Sequence, residues 1–361
     1  MATKTTLTLQ QAYNQQLSGT WPTAWYIPPP VLYVWGNNYY GQLGFGDTVN
    51  RAIPTELSDT TNVAAIYAGG SNSAIVKSNG TLWSFGNNNE GQLGHGNTVR
   101  RSSPTQVGAL TNWKTSGNAV AISEQNLYAV KANGTLWSCG AGGFGAIGDS
   151  TRISKSSPVQ LGSGTTWSSV AADSYVGAAI QTNGTLWMWG YNYYGRLGLG
   201  NTLHRSAPAQ IGALTNWASV IMSPFAATLA VKTNGTLWAW GRNYYGQHGL
   251  GTTVNRSSPI QVGSLTNWAL LAWTSSKTGV VATKTDGTIW TWGGFAPAKS
   301  SPVQIGSLTD WSIPTKAGRA IKTDGTLWTI GSTPEQIGSL TTWTLLSGGG
   351  GSFLGKANGP A

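Results

Sequence analysis

Charge is scarce in this chain: Asp, Glu, Lys and Arg make up 9% of 361 residues. There is one cysteine, Cys139, and there are three histidines, His95, His204 and His248. A single cysteine excludes a disulfide framework and a cysteine-rich metal site. Cys139 takes a slot that comparable segments fill with Trp or Phe, which reads as a small buried apolar residue. The histidines fall in separate loops without HxH or HExxH spacing, so neither a metal centre nor a general base is expected. Most carboxylates stand where Asn or Thr serves equally well. Asp286 and Asp324 replace turn Asn, while Asp47 and Asp149 correspond to Asn97, Asn201 and Thr252, which marks turn and capping roles. Asp173 and Glu124 depart from that pattern and have no evident partner in the sequence. No glycine-rich loop opens a helix that could hold a phosphate. The chain therefore reads as non-enzymatic, with no catalytic residues, no metal and no cofactor.

Long apolar runs are also missing. None is long enough to cross a bilayer, and the N-terminal stretch MATKTTLTLQQAYNQQ lacks the apolar core of a secretory signal. Synthesis in a cytoplasm without membrane insertion is the expectation. What is abundant is Gly (50) and Trp (19), enough apolar surface to exclude disorder. A Gly-, Ser-, Thr-, Asn- and Trp-rich, charge-poor surface suits a protein that faces the outside world. A bacteriophage virion protein, assembled in the host cytoplasm and released by lysis, satisfies both expectations.

The organising stretch is Asn234-Gly235-Thr236-Leu237-Trp238-Ala239-Trp240-Gly241. Asn-Gly supplies the positive φ angles of a tight turn, and the following residues alternate as a strand does. The turn recurs at Asn79, Asn133, Asn183, Asn234, Asp286, Asp324 and Asn358. Six of the strands that follow end at Gly86, Gly140, Gly190, Gly241, Gly293 and Gly331, but only Pro360 and Ala361 follow Asn358-Gly359. The missing strand stands at the other end of the chain, at Val31 to Gly36. Seven turns and seven strands thus balance only if the chain closes into a ring. Between turns the pattern allows four short strands per unit, and Trp187, Trp238 and Trp290 repeat at intervals of 51 and 52 residues. The expected fold is all-β: a seven-bladed β-propeller, residues 31–361, with four-stranded blades, closed by strands from both termini. The interval from Trp290 to Trp328 drops to 38 because two units lack the long loop, which predicts a ring trimmed along one side.

That loop carries a resemblance. Gly36 to Thr48 (GNNYYGQLGFGDT) with Arg51 and Pro54, and Gly91 to Thr98 (GQLGHGNT) with Arg101 and Pro104, resemble the regulator of chromosome condensation repeat family. Weaker copies begin at Gly145, Gly195 and Gly246, and the likeness extends over residues 31 to 359. The resemblance implies the same seven-bladed propeller and suits a bacterial or phage variant of the family. The founding member exchanges guanine nucleotide on a small GTPase and docks on nucleosomes, using a wedge inserted beyond the blades; no comparable insertion occurs here. The Gly-Trp-Arg-His-Thr motif of the family's plant ultraviolet photoreceptor is absent as well.

Two features suggest contacts. Tyr39-Tyr40, Tyr193-Tyr194 and Tyr244-Tyr245 fill the same two loop positions in three units, whereas other units carry Asn89-Glu90 or Gly143-Phe144. Tyr is a rigid amphipathic contact residue for proteins or glycans, though the rings would equally serve to cover a blade junction. Residues 1–30 lie outside the repeats and hold Trp21, Trp25 and Tyr26 before Pro28-Pro29-Pro30, which suggests an N-terminal docking arm. Leu7 to Leu17 has helix-compatible composition. The net charge of +10 comes partly from two repeated positions: Lys77, Lys131, Lys232, Lys284, Lys322 and Lys356 stand before six of the seven turns, and Arg51, Arg101, Arg152, Arg205 and Arg256 stand before a proline in five units. Such rings can hold phosphates, or they can pack their stems on neighbouring blades. The functional expectation is a structural or binding propeller in a virion, as a capsid decoration, fibre or tail-associated protein. Its partners would be other virion proteins or a host surface glycan or protein, with oligomeric assembly and with nucleic acid as the lesser prospect. The alternative is a cytoplasmic protein- or chromatin-binding scaffold of the same repeat family.

Overall fold

The computed structural model describes residues 30–58, 61–274, 278–294, 299–315, 318–330, 334–349 and 351–358. The helix expected near Leu7 to Leu17, the arm aromatics Trp21, Trp25 and Tyr26, and the turn glycine Gly359 lie outside these residues. Seven four-stranded antiparallel sheets form a ring. Blades 1 to 6 occupy residues 63–106, 120–160, 167–210, 217–261, 268–304 and 311–336. Blade 4 shows the plan. Its first strand, Trp217–Met222, lines the centre, and Ala227–Lys232, Leu237–Gly241 and Arg256–Gln261 follow outward.

Blade 7 closes the ring. Trp343–Gly349 and Ser352–Asn358 supply its first two strands, and Pro30–Gly36 and Arg51–Glu56 supply its last two. Pro30 pairs with Asn358 and Trp35 with Phe353, so the seam is a full ladder and no edge is left open there. The strand starts at Pro30, one residue before the expected boundary of the propeller.

The core is divided rather than central. Seven clusters of buried apolar residues lie between successive blades, one at each junction of the ring. The junction between blades 3 and 4, for example, packs Ile180, Leu186, Met188 and Leu197 against Trp217, Val220 and Trp240. A blade alone would expose both faces of its sheet, so each one is stable only between two neighbours.

The turn octet explains the wedge between blades. In the turn, the Thr236 hydroxyl donates to Asn234 Oδ1 at 2.8 Å and accepts from Trp238 Nε1 at 3.0 Å. The same chain of bonds joins Asn79, Thr81 and Trp83, and recurs with Asp286, Thr288 and Trp290. Gly235, at φ +75°, turns its carbonyl to the N–H of Trp268, the first residue of the next blade (3.1 Å). A Cβ at Gly235 would lie 2.0 Å from the Thr266 carbonyl oxygen, so glycine is required both by conformation and by space.

Candidate partner-binding face

The ring has two chemically different faces. Connections between first and second strands, and between third and fourth strands, emerge on one face, called here the loop face. The Asn-Gly turns and the crossings between blades emerge on the other, the turn face.

Five long third-to-fourth loops build the loop face, in blades 7, 1, 2, 3 and 4. Four of them, in blades 7, 1, 3 and 4, are stapled from within by a fully buried asparagine, for which blade 2 has Gly142. In blade 7, Asn38 accepts from the Leu43 N–H at 2.8 Å and donates through Nδ2 to the Asp47 carboxylate at 2.9 Å. Asn88, Asn192 and Asn243 repeat the acceptor role towards Leu93, Leu197 and His248. Each loop then leans on the following blade. The N–H of Gly46 reaches the Ser102 carbonyl at 2.8 Å, Gly96 reaches Ser156, Gly200 reaches Ser257 and Gly251 reaches Ser300. In return, the buried indoles of Trp189, Trp240 and Trp292 donate to the loop carbonyls of Ala146, Arg196 and Gln247 in the preceding blade at 2.9–3.0 Å. The result is a continuous wall of loops, each fixed to the next.

All six loop tyrosines stand on this wall, and the two members of each pair differ. Tyr39, Tyr193 and Tyr244 are 67%, 61% and 67% exposed. Tyr40 and Tyr194 are half-buried at blade junctions, where the guanidinium groups of Arg100 and Arg242 from the following blade cover their rings at 4.7 and 5.0 Å. Junction packing thus accounts for the second position in these two pairs and leaves the first free to meet solvent or a partner. Tyr245 remains 46% exposed. Between blades 2 and 3 the patch widens, because Phe144 contacts Tyr175, Tyr191 and His204 with ring centroids 4.7–5.4 Å apart.

The arginines gather on one face, joined there by Lys155 and Lys299 at the start of two fourth strands. Arg51, Arg101, Arg205 and Arg256 open fourth strands, Arg100, Arg152, Arg196 and Arg242 stand in the long loops, and Arg319 opens a second strand. That is every arginine of the chain, and all are on the loop face. The repeated lysines lie towards the turn face instead, four of them each held between two tryptophans, while Lys77 lies over Trp83 alone and Lys356 donates to the Val63 carbonyl. Lys232 Nζ sits 3.7 Å from the centre of the Trp238 ring and 4.9 Å from Trp217. Lys131, Lys284 and Lys322 are held between Trp113 and Trp137, Trp268 and Trp290, and Trp311 and Trp328. Burial lowers the pKa of Lys131, Lys232 and Lys284 below the usual lysine value. Lys131, Lys232, Lys284 and Lys322 are 6–7% exposed, so these four are packing residues and not an open phosphate cradle.

The centre of the loop face opens into a cavity of about 710 Å³ at the mouth of the channel between first strands. Ser123, Glu124, Asp173, Ser174, Trp273, Arg319 and Phe353 are among its lining residues. The sequence offered Asp173 no partner, and the structure corrects this. Arg196 Nη2 bonds the Asp173 carboxylate and also reaches the Ser223 carbonyl at 2.8 Å, with both charged side chains almost fully buried. Arg196 fills the slot of Gln42 and Gln92, whose amides reach towards the following blade in the same way, Gln92 to the Glu124 carbonyl at 2.8 Å. The histidines are packing residues. His204 Nδ1 accepts the Asn192 N–H at 2.9 Å, as Asn255 does for Asn243, and His95 Nε2 lies 3.1 Å from Ser84 Oγ. Among the described residues no three His, Cys, Asp or Glu side chains converge as metal ligands. Cys139 is fully buried, and burial pushes its thiol pKa far up.

Comparison with known proteins agrees with this architecture. Residues 31–76, 79–122, 183–222 and 234–275 match the family model described as Regulator of chromosome condensation (RCC1) repeat, and a second model of that repeat matches residues 63–92. The chain is 39% identical over 56 residues to the secretion-regulating guanine nucleotide exchange factor of Mus musculus, covering 15% of this chain and 12% of that protein. It is 27% identical over 236 residues to the ultraviolet-B receptor UVR8 of Arabidopsis thaliana, covering 65% of this chain and 42% of the receptor. The match therefore spans less than half the length of either relative. Human WBSCR16 superposes with a TM-score of 0.77 at 16% identity, over 91% of this chain and 99% of that one. Prp20p of Saccharomyces cerevisiae, described with its binding to Gsp1p and histones, superposes at 0.75 and 15% identity over 93% of each chain. Likeness at such identities speaks for the fold alone.

Proposed function

We propose that this RCC1-repeat propeller is a non-enzymatic protein-binding scaffold of the cell that makes it, working through its loop face. The observation that carries the proposal is the concentration of every arginine, and of eight of the 13 tyrosines, on that face. Arg and Tyr are the side chains that most often dominate protein interfaces. Carboxylates of Asp47, Glu90, Glu124 and Asp149 stand among them, a mixture that suits a protein surface better than a uniform row of phosphates. The virion reading drew on composition, whereas the relatives described above are cellular proteins of plant, animal and yeast, which favours the scaffold. The excess of positive charge favours an acidic partner and disfavours a basic one such as a histone.

The test compares capture of partners from cells that make the protein, using wild type and two surface variants. One carries Tyr39→Ser, Tyr193→Ser and Tyr244→Ser on the loop face. The other carries Thr182→Arg, Thr233→Arg and Thr285→Arg on the turn face. The scaffold reading expects the first to lose its specific partners at least tenfold and the second to retain them. The reverse pattern would reject the loop face as the contact surface.

A further inference from the structure

A continuous track of rings crosses the loop face from blade 2 to blade 4. It begins at Phe144 of the blade 2 loop, which contacts Tyr191 of the blade 3 loop with centroids 4.7 Å apart. Tyr191 stacks on Tyr193 at 6.3 Å, and Tyr193 meets Tyr194 at 4.9 Å. The Arg242 guanidinium then bridges Tyr194 and Tyr244, 5.0 and 5.2 Å from their ring centres. In the same three loops Ile153, Leu203 and Val254 fill one repeated slot, and they are 65%, 62% and 55% exposed. The backbone fixes these tips. The Leu203 N–H donates to Asn201 Oδ1 at 3.0 Å, and Asn192 Nδ2 donates to the Leu203 carbonyl at 3.0 Å.

This sector also holds unmatched positive charge. Between Gly140 and Arg256 the carboxylates are Asp149 and Asp173 alone, and both are taken, by Lys155 at 3.4 Å and by Arg196. Arg152, Arg205 and Arg256 stand in or at the end of the same loops. Among the described residues no carboxylate lies within ion-pair distance of these three. Burial, and after it the charge of Arg152, lowers the pKa of His204, whose ring packs on Tyr191 at 5.1 Å, so Arg152 borders the track. The neighbouring sector differs: Arg51 of blade 7 is matched by Asp47 at 2.7 Å, and the blade 1 loop exposes Glu90.

Resting on the scaffold reading, we propose that the partner binds blades 2 to 4 of the loop face through an extended acidic segment in which carboxylates alternate with aliphatic or aromatic side chains. Its carboxylates pair with Arg152, Arg205 and Arg256, whose planar guanidinium groups match a carboxylate through two parallel hydrogen bonds. Its apolar side chains pack among Tyr193, Tyr244, Leu203 and Val254, where each contact removes apolar surface of both partners from water. The loops are already fixed to one another, so little ordering entropy is lost on this side of the contact. Links of the track are 4.7–6.3 Å each, and a dodecapeptide reaches about 40 Å when extended, long enough to cross it. The aliphatic tips decide between ligand classes. A single nucleic-acid strand uses cations and ring faces but gains little from exposed Ile, Leu and Val, whereas a protein segment of this composition uses all three.

The test is fluorescence anisotropy with the full chain and a labelled dodecapeptide of three Glu-Leu-Asp-Ser repeats. Its counterparts replace Glu and Asp by Gln and Asn, or Leu by Ser, and a 20-nucleotide oligothymidine strand represents nucleic acid. The acidic, leucine-bearing peptide is expected to bind with an affinity that falls as salt rises, and both counterparts at least tenfold more weakly. Arg152→Gln with Arg256→Gln, and separately Leu203→Ser with Val254→Ser, should each weaken binding at least tenfold. All four side chains are exposed, so an unchanged melting temperature separates lost binding from a lost fold. Val49→Ser with Val99→Ser, the same slot in blades 7 and 1, should leave binding within twofold of wild type. No binding of the peptide, equal binding of either counterpart, no loss in either blade 2–4 variant, or equal losses from the two slot variants overturns the inference. Preference for the oligothymidine strand overturns it in favour of nucleic acid. If the tyrosine variants lose their cellular partners while Arg152→Gln with Arg256→Gln keeps them, the inference for this sector falls and the scaffold reading stands.

Discussion

Asp173 and Arg196 place an ion pair where water hardly reaches, with side chains 6% and 4% exposed. Such a pair adds little net stability when whole, but removing one partner strands a buried charge. Asp173→Ala is therefore expected to cost about 3–5 kcal/mol in chemical denaturation. Adding Arg196→Met to it should recover most of that loss. Equal destabilisation by the single and double variants would contradict the account. His248 offers a contrasting case. It fills the slot of Leu43, Leu93 and Leu197, and burial draws its pKa to about 4, below the ordinary 6.5. The unfolded chain then takes up the proton more readily than the folded one. Its neutral form is at no disadvantage above pH 6.5, and stability is lost as pH falls from 6.5 towards 4. His248→Leu should raise the melting temperature more at pH 5 than at pH 8, and an equal change at both would refute the assignment. The His248 slot can be read from the repeat, but the Asp173–Arg196 pair cannot. Arg196 sits in a loop slot held by glutamine in three other blades and by Ala146 in blade 2, and nothing local shows that this slot points at the end of a first strand.

Among the elements, what could be read beforehand was what depends on near neighbours. The turn, the Thr hydroxyl and the Trp two residues on form one hydrogen-bonded unit, so the octet announced its own structure. The trimmed loops of blades 5 and 6 were visible as a shortened interval. The lysine ring was ambiguous, because a lysine between two tryptophans requires first and third strands to stand on either side of the second. The long loops depend most on contacts between blades. Gly195 has φ +73°, and a Cβ there would lie 2.6 Å from Ser257 Cα. Gly195→Ala should lift the blade 3 loop off blade 4, speeding hydrogen exchange at the Gly200 amide at least tenfold while amides of the second strands stay protected. Unchanged exchange at Gly200 would show that the loop does not need its dock.

For the whole molecule, counting seven turns and seven strands was enough to foresee the closed ring, since a missing strand at one end was supplied at the other. The polarity of its faces was not foreseeable, because it appears only when antiparallel topology assigns each connection to one side. Two proposals belong to this scale. The arm at residues 1–29 is proposed to dock the ring to a partner or a second copy. Light scattering on residues 1–361 and 30–361 checks this: the docking account expects an assembly of full-length chains to become monomeric on truncation. Identical monomers would rule out self-docking. The larger proposal is that the Arg- and Tyr-rich face meets the partner. The most direct measurement installs a photo-crosslinking residue at position 193 or 244, and in parallel at the turn-face positions 182 or 233, in cells that make the protein. The account predicts a discrete cross-linked partner from positions 193 and 244 and none from the other two. Adducts confined to the turn face, or equal from both faces, would contradict it.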